Sequence, residues 1–407
     1  VLEDDLSNPA AAPGIVAGAL ATVSHGIGYI MAPNAVASDE SWWVGSRDAW
    51  DQLDKGNFSD INNEFVDGAW PFITEGRWTA DKAVSLLEGF DGEGRLTDRL
   101  LLVKAYTYAA LVRVFIADMF DNFVFSDKTE AKPAIGETNM NSLYDQAISM
   151  LDKALAIAQS GTTAAHVEQQ RRILGLRARA KHAKAVWGLL NPRPSGPIAN
   201  PYVAAVDART DALAALAVMT ADYKWRFDYF TPLTFNELAW ELVGRSEHNF
   251  GSPPRTETPK TGTAGTFIPD DPITGVADVR ISAIIADFRN LAAYSDRYSP
   301  ITLVSEREMN LIIAESFLAS GDAAGARARL NTVRALNNLA PYPDTFSAGT
   351  ALQHERRANL YLQGRRLNDM YRFGTTSVRW LTGNDALARP GTFFPITIRE
   401  IRANPNL

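Results

Sequence analysis

The sequence predicts a mostly α-helical protein, with tetratricopeptide-like helical repeats packed against a loop-rich, irregular part. Apolar residues recur at helical spacing along most of the chain, most clearly over 141–158. A helix hairpin is predicted over 306–339, since Gly321 can end one helix and Asp322 can cap the next. Residues 223–305 are rich in Pro, Gly, Thr and aromatic residues and carry few helix signals, which indicates loops and short strands.

Residues 10–37 form the first predicted element, and they contain no Asp, Glu, Lys or Arg. A run of this length is long enough to span a bilayer. It is also rich in Ala and Gly and is interrupted by Ser24, His25 and Pro33. We therefore predict a helix packed within the protein and followed by a loop, and not a membrane span.

Further helices are predicted along the chain, and they are expected to stack because one helix pair cannot bury its apolar face alone. Their ranges are 61–88, 95–120, 141–158, 168–190 and 203–221. The predicted pairs are 61–120, 140–190, 306–339, and 203–221 with a distant partner. Trp70 and Trp78 fall on a strongly apolar helix and are predicted to be core residues.

The bulk composition bounds the class of protein. The 407 residues, 46% of them apolar, suffice for a large helical body with a substantial core. The net charge of −7 argues against partners bound through positive charge, such as nucleic acid or an anionic membrane. The absence of cysteine excludes disulfides, thiolate zinc sites and cysteine nucleophiles.

Three sequence blocks follow one another near the C-terminus: a Gly-Asp helix hairpin, an Arg-rich helix, and an extended segment with an Asn-Pro-Asn tail. Their marking positions are Ala314, Glu315, Gly321 and Asp322, then Glu355, Arg356, Gly364, Arg365, Asp369 and Arg372, and finally Pro395, Ile396, Glu400, Asn404 and Pro405. In this order they resemble the C-terminal signature of the SusD/RagB family of outer-membrane nutrient-binding lipoproteins. The helix within 102–125 is also similar to one of that family, less sharply. The chain departs from the pattern at Gln363, where an acidic residue is usual, and at Thr397, where a second proline is usual.

The resemblance implies an architecture and a cellular context. It implies a single SusD-like domain over 1–407, lipid-anchored on the extracellular face of the outer membrane. Within it we expect a helical-repeat body at about 10–221 and 306–372, a loop-rich insertion at about 223–305 and a C-terminal extended segment at 373–407. Such proteins are made with a signal peptide and a lipidated cysteine. Because neither occurs here, the acidic opening Val1–Asp5 is expected to belong to a trimmed mature form.

No catalytic motif with suitable spacing occurs in the sequence, which predicts a binding protein and not an enzyme. HExxH, Walker A, GxGxxG and GxSxG patterns are absent. The five histidines are scattered, with no two at i, i+3 or i+4, so a helical metal site is unsupported. We predict no cofactor. Asp270 and Asp271 allow two interpretations, oxygen ligands for calcium or a solvated turn, of which we favour the turn.

Residues 38–51 have the mixture of side chains that carbohydrate sites use. Sugars stack their C–H faces on aromatic rings and offer hydroxyls to polar side chains. The candidate ligand-binding residues are Trp42, Trp43, Arg47, Trp50 and Asp51, with Tyr229 and Tyr298 of the central insertion as secondary candidates. The alternative is that the tryptophans pack this loop onto the body, and that Asp39 and Glu40 are helix-terminal or solvated.

The predicted Arg-rich helix at 354–372 also allows two interpretations. Its arginines can bind an anion, or they can form ion pairs that hold the C-terminal segment against the repeats. We favour the ion pairs, and the i, i+4 spacing of Arg365 and Asp369 permits one of them.

The resemblance implies capture of an oligosaccharide, or less often a peptide, and its delivery to a SusC-like TonB-dependent outer-membrane transporter. No nucleic acid is expected as a partner, and the membrane only through an N-terminal lipid. Two alternatives stay open: an intracellular helical-repeat scaffold that binds proteins, and an all-α glycoside hydrolase, which needs two carboxyl groups roughly 5–10 Å apart. A lipobox cysteine in the unprocessed gene product distinguishes the first function from the scaffold.

Overall fold

The structure, a computed structural model, describes residues 6–127, 130–230, 234–252 and 266–407. The acidic opening Val1–Asp5 and the Pro- and Gly-rich stretch 253–265 lie outside the described residues. The described part is mostly helical with few short strands, so the predicted fold class is confirmed. Its α-helices are α1 (Ala12–Ala37), α2 (Asp48–Asp54), α3 (Glu64–Gly92), α4 (Arg99–Met119), α5 (Ser142–Ala158), α6 (Ala164–Leu190), α7 (Val206–Val218), α8 (Glu237–Ala239), α9 (Val279–Phe288), α10 (Leu291–Tyr294), α11 (Glu306–Ala319), α12 (Ala323–Ala335), α13 (Ala348–Asn359), α14 (Arg366–Phe373), α15 (Asp385–Ala388) and α16 (Ile398–Ala403).

The described strands are short and form two antiparallel pairs. They are β1 (Ser41–Trp43), β2 (Lys224–Phe227), β3 (His248–Phe250) and β4 (Ile301–Ser305). β1 pairs with β3, and β2 pairs with β4. The first pair joins the central insertion to the segment after α1, and the second joins the two ends of the insertion, just before α11.

The long helices stack in chain order. α1 packs on α3, α3 on α4, α4 on α5, α5 on α6 and α6 on α7, and α7 then packs on α11, which pairs with α12. The distant partner predicted for the helix at 203–221 is therefore α11, and that helix itself is shorter than predicted. The stack follows from the sequence because each of these helices carries an apolar face that a neighbour must cover.

In the part of the chain that the structure describes, two helices are long and apolar enough to cross a membrane by length and composition, Pro9–Ala37 and Arg99–Met119. Both are packed among other helices: Val23, Ile27 and Ile30 of α1 are fully buried. Burial in the core accounts for their hydrophobicity, as predicted for the first of them.

The hairpin of α11 and α12 forms where it was predicted. Gly321 adopts φ +84°, a left-handed conformation that glycine accepts without strain. The carboxylate of Asp322 accepts a hydrogen bond of 2.8 Å from the backbone N–H of Gly325 and caps α12.

Three local predictions are wrong. The single helix at 354–372 is two helices, α13 and α14, separated by a turn in which Leu362 and Gly364 have φ of +56° and +74°. A side-chain carbon at Gly364 would lie 2.6 Å from the terminal methyl group of Met119, so a larger residue here would also displace that side chain. The insertion contains a helix, α9, which Asp278 caps. The C-terminal segment contains α15 and α16 besides its extended stretch.

The buried carboxylate of Glu315 joins several of these elements. It lies on α11 and is fully buried. It pairs with Arg372 of α14, contacts His182 Nε2 of α6 at 2.9 Å, and accepts a hydrogen bond from the backbone N–H of Val203. Burial alone raises the pKa of Glu315, but the charge of Arg372 and the contact with His182 outweigh it and hold the pKa well below its usual range.

Further buried pairs continue outward from Glu315. Asp369 accepts hydrogen bonds from Arg356 at 2.7 Å and from Arg372 at 2.8 Å, while Arg365 pairs with Glu308 at 3.0 Å. The prediction that the arginines form ion pairs is confirmed, and these pairs hold α13 and α14 together and against α11. The predicted pair of Arg365 with Asp369 is wrong, because Arg365 pairs with Glu308 of α11 and Asp369 pairs with Arg356 and Arg372.

The last block of the signature also has a structural role. Glu400 of α16 accepts a hydrogen bond of 3.1 Å from Trp70 Nε1 and lies 3.1 Å from the Asn404 amide nitrogen. The extended stretch before α16 bridges Phe394 to Phe120, which follows α4. Trp70 is buried as predicted, whereas Trp78 is half-buried.

The ion pairs around Glu315 lead to a prediction about stability. Glu315→Gln removes the charge that pairs with Arg372, so we expect the free energy of unfolding at pH 7 to fall by about 3 kcal/mol. Because the folded-state pKa of Glu315 is depressed, the loss should be complete above the ordinary glutamate value and should shrink as the pH falls below it. Urea unfolding between pH 3 and 7 measures both effects.

The matched control is Glu75→Gln on the exposed side of α3, which should change stability by less than about 0.5 kcal/mol. Equal effects of the two substitutions on stability would show that the charge of Glu315 does not hold α6, α11 and α14 together.

Candidate functional site

The segment predicted to carry the ligand site, 38–51, is bound to the central insertion. Its strand β1 pairs with β3, with Trp42 opposite Asn249. Beyond the strand, the backbone N–H groups of Val44 and Gly45 both donate to the carbonyl of Glu247. The segment therefore lies between α1 and α2 and forms one edge of a small sheet.

The three candidate tryptophans are buried. Trp42 and Trp50 each expose 1% of their surface and Trp43 exposes 9%. Trp50 stacks on Phe65 with ring centroids 3.5 Å apart and meets the edge of His248. These tryptophans therefore pack the segment onto the body of the protein, as the alternative interpretation stated. They leave little ring surface exposed for stacking on a ligand.

Asp39 and Glu40 follow the end of α1 and are buried, so the interpretation that they are solvated is wrong. Asp39 accepts hydrogen bonds from Arg366 at 2.6 Å and from Arg357 at 2.7 Å. Burial alone raises the pKa of Asp39, but the charges of these two arginines lower it to about 2. Glu40 accepts a hydrogen bond of 2.8 Å from the backbone N–H of Leu362, and its burial raises its pKa to about 8.

The remaining predicted residues have mixed placements. Arg47 is partly exposed and pairs with Glu241 and, at 3.8 Å, with Glu247, both from the insertion. Asp51 pairs with Lys55 one helical turn along α2. Tyr229 is buried and donates a hydrogen bond of 3.0 Å to the carbonyl of Ser24, whereas Tyr298 is half-buried. Of the seven, Arg47 and Tyr298 offer accessible side chains for a ligand.

A cluster of half-buried rings lies where the insertion meets α1 and α3. We call it the aromatic face, and it consists of His25, Tyr29, Phe65, Phe72, Phe235 and Trp240. Tyr29 and Phe72 stack with centroids 4.2 Å apart, and His25 lies 4.7 Å from Phe72 and 5.3 Å from Phe235. Such rings, partly open to solvent, supply the flat apolar surfaces on which a sugar ring can stack.

Charged groups frame the aromatic face. The Arg297 guanidinium lies 3.9 Å from the centre of the Trp240 ring, and that of Arg47 lies 4.5 Å from the centre of Phe65. Glu237 and Glu241 are one helical turn apart on the same side. Burial and, to a smaller extent, the nearby charge of Glu241 together raise the pKa of Glu237 to about 8. The aromatic face thus combines rings with hydrogen-bond donors and hydrogen-bond acceptors.

Glycines allow the face to form. A side-chain carbon at Gly26 would lie 2.6 Å from the carbonyl of Phe72, and one at Gly28 would lie 3.2 Å from that of Phe235. α1 can therefore approach α3 and the insertion closely and bring their rings beside His25 and Tyr29. These rings were not among the residues predicted from the sequence. One signal could have indicated them: the pattern His25-Gly26-Ile27-Gly28-Tyr29 places small residues between aromatic ones inside a helix.

The turn that carries Trp240 leaves little room for a side chain at Gly244. Residues Trp240–Gly244 form a π-helical turn, and a side-chain carbon at Gly244 would lie 2.2 Å from the Trp240 ring. Wide turns of this kind often occur at functional sites. Here the turn holds the indole against Arg297 and leaves part of it open to solvent.

The carboxyl groups of the face do not form a glycosidase pair. Glu237 and Glu241 contact each other within one turn of helix, and Arg47 pairs with Glu241. A glycosidase needs its two carboxyl groups on opposite sides of the scissile bond, separated by a gap of roughly 5–10 Å. The geometry of this pair fits binding better than hydrolysis.

Asp271 was one of two candidate calcium ligands, and its oxygens are used by protein groups. Arg334 donates to them at 2.7 and 3.3 Å, and the backbone N–H groups of Ile273 and Thr274 donate at 3.0 Å. Among the described residues, Asp271, Asp278 and His354 come close enough to share a metal ion. Because Arg280 lies against the two carboxylates, the cluster is already neutralised by guanidinium groups.

Comparison with known proteins identifies the fold. Neither sequence-family models nor curated proteins include a match to this chain. Among solved structures, a SusD superfamily protein from Parabacteroides distasonis is 13% identical with a TM-score of 0.67, and 100% of this chain and 99% of that one are covered. A SusD homolog from Bacteroides thetaiotaomicron is 12% identical, with a TM-score of 0.65 and coverage of 100% and 98%. A SusD-like carbohydrate binding protein from Bacteroides vulgatus is 14% identical, with a TM-score of 0.58 and coverage of 91% and 84%.

These likenesses extend over nearly the whole chain, so the protein has a SusD-like fold. The resemblance predicted from the C-terminal blocks is confirmed at the level of the fold. The blocks themselves supply Glu315, Asp369 and Arg372 to the buried network and Glu400 to the contact with Trp70.

The burial of Glu40 leads to a prediction about the pH dependence of stability. Its folded-state pKa is raised, so its contribution to stability is present below pH 4.5 and is lost progressively as the pH rises towards 8. Glu40→Gln keeps the acceptor for Leu362 without this loss. We expect the variant to equal the parent at pH 4 and to exceed it increasingly up to pH 8, by at most about 1.4 kcal/mol per pH unit. Chemical denaturation across this range measures the difference, and a gap independent of pH would mean that Glu40 is ionised in the folded protein.

Proposed function

We propose that the protein captures a carbohydrate at the surface of a Gram-negative cell and passes it, unaltered, to a TonB-dependent outer-membrane transporter. The observation that carries this proposal is the aromatic face: six half-buried rings framed by two arginines and two carboxyl groups, on a SusD-like scaffold.

The chemistry of the face suits a sugar. Stacked rings such as Tyr29 and Phe72 can cover the C–H face of a pyranose, and Trp240 offers a second platform nearby. Arg47 and Arg297 can donate to the hydroxyls of a sugar, and the partly exposed carboxyl group of Glu237 can accept from them. A peptide has fewer hydroxyls to satisfy these groups, so an oligosaccharide is the ligand that we propose.

The support of the rings favours binding without large rearrangement. His25 and Tyr29 lie on α1, and Phe65 and Phe72 on α3, two long helices packed on one another. Rings held on packed helices lose little conformational entropy when a ligand docks, which favours affinity. Glu237 and Glu241 contact each other, which favours binding over hydrolysis as the role of this site.

The cellular role rests on the fold alone and is the finer part of the proposal. The solved SusD-like protein from Bacteroides vulgatus is named for carbohydrate binding. By analogy we propose a lipid anchor, an outer-membrane location and a SusC-like partner for this chain. A lipobox cysteine in the full gene product and a neighbouring gene for a TonB-dependent channel would support these points, and their absence would favour the intracellular scaffold.

Binding to a glycan array, followed by calorimetry with the best ligand, tests the aromatic face. We expect Trp240→Ala and Tyr29→Ala each to weaken binding at least tenfold, about 1.4 kcal/mol, because each removes a stacking surface. Trp187→Ala is the matched control, since it removes a half-buried tryptophan of α6 outside the face and should leave affinity unchanged. Trp42 and Trp50 are unsuitable for this test because their removal would primarily destabilise the core.

Three outcomes would overturn the proposal. Full affinity in Trp240→Ala and Tyr29→Ala would place the site elsewhere. Binding to a peptide array with none to glycans would favour the scaffold or a peptide nutrient. Release of reducing sugar from a bound glycan would make the protein a hydrolase.

A further inference from the structure

A cavity of about 430 Å³ lies between the β2–β4 sheet, α9 and the turn that joins α13 to α14. We call it the β2–β4 cavity. Its volume falls in the range of small-molecule sites, about 300–1,000 Å³. None of its lining residues belongs to the aromatic face, so it is a separate feature of the molecule.

The alternation of side chains along β2 places two positively charged side chains in the lining of the cavity. Side chains alternate along β2: Trp225 and Phe227 are buried in the core, while Lys224 and Arg226 lie on the other face and line the cavity. On β4, Ser305 is opposite Lys224 and Thr302 is opposite Arg226. One face of this sheet thus presents two positive charges and two hydroxyls.

The cations outnumber the carboxylates that can neutralise them. Lys224, Arg226 and Arg307 face the cavity with Asp222 and Asp287, three positive groups against two negative ones. Arg280 also lines the cavity, but Asp278 and Glu355 neutralise it from behind. The cavity therefore has a surplus of positive charge, although the protein as a whole is negative.

The donors at the entrance are only partly used. Arg307 is well occupied, with Asp222, Asn337 and Asn359 as partners. Arg226 makes longer contacts, 3.1 Å to Asp287 and 3.5 Å to the Tyr294 hydroxyl, and Lys224 lies 3.5 Å from Asp222. A guanidinium has five N–H donors and an ammonium three, so both side chains keep donors for a ligand.

The rest of the lining offers neutral polar groups and an apolar wall. Gln363 is 6% exposed, and its Oε1 is buried without a hydrogen-bond partner. A buried acceptor of this kind is costly unless a donor reaches it. Phe288 and Pro300 supply buried apolar surface on the opposite side. The lining can therefore meet a carboxylate, several hydroxyls and a C–H face.

We propose that the β2–β4 cavity is a second binding site, which takes a single acidic sugar unit of the uronic acid class. Arg226 and Lys224 would hold the carboxylate, since a guanidinium pairs with it through two parallel hydrogen bonds. The amides and hydroxyls would take the sugar hydroxyls, and Phe288 would cover the ring. The volume of about 430 Å³ is sufficient for one sugar ring. The proposal is independent of the aromatic face.

Calorimetry and saturation-transfer NMR with D-glucuronate and D-glucose test it on the full chain. We expect saturable binding of glucuronate, binding of glucose at least tenfold weaker, and loss of affinity as salt rises. Arg226→Gln and the double variant Lys224→Gln/Arg226→Gln should each weaken glucuronate binding at least tenfold. Arg95→Gln, which removes an exposed arginine outside the cavity, should have no effect.

Trp240→Ala separates this proposal from that of the aromatic face. Glucuronate binding should be unchanged in that variant, even where oligosaccharide binding is lost. No saturable binding of glucuronate, equal binding of glucose, full affinity in the double variant, or loss of affinity in Trp240→Ala would each overturn the proposal.

Discussion

A buried carboxylate must be surrounded by donors from several directions, and Glu315 meets this requirement with groups from three stretches of chain outside its own helix. α6 supplies His182, the segment before α7 supplies the N–H of Val203, and α14 supplies Arg372, while Glu315 itself lies on α11. Leaving such a charge unpaired would cost several kcal/mol, so these elements must come together in one arrangement. Asp369, Glu308 and their arginine partners extend the same constraint to α13 and to the turn after it.

The ends of this network reach the candidate site. Asp39, at the end of α1, pairs with Arg366 and Arg357, and Glu40 accepts the N–H of Leu362. These contacts hold the start of β1, and β1 in turn holds β3 of the insertion. The insertion then carries Phe235 and Trp240 to the rings of α1 and α3. The face is thus positioned by charges buried behind it, which explains why its rings can remain half-exposed.

Much of the fold could be predicted because its signals are local. The hairpin of α11 and α12 was placed from Gly321 and Asp322, and both residues act as expected. The helix boundaries that failed have causes that are not local. The predicted helix at 354–372 is interrupted after Asn359 because Leu362 and Gly364 take left-handed conformations. α9 was missed because it is short and lies among turn-forming residues.

The candidate site shows the limit of sequence more sharply. Composition directed attention to residues 38–51, and this segment does adjoin the aromatic face through Arg47. Its tryptophans are buried, however, because Phe65 and His248, distant in sequence, cover Trp50. The sequence by itself determined the helices, their caps and the resemblance to a family, since periodicity and motifs are written in neighbouring residues. Only the tertiary structure decided which rings face solvent, because exposure depends on what the rest of the chain places over each side chain.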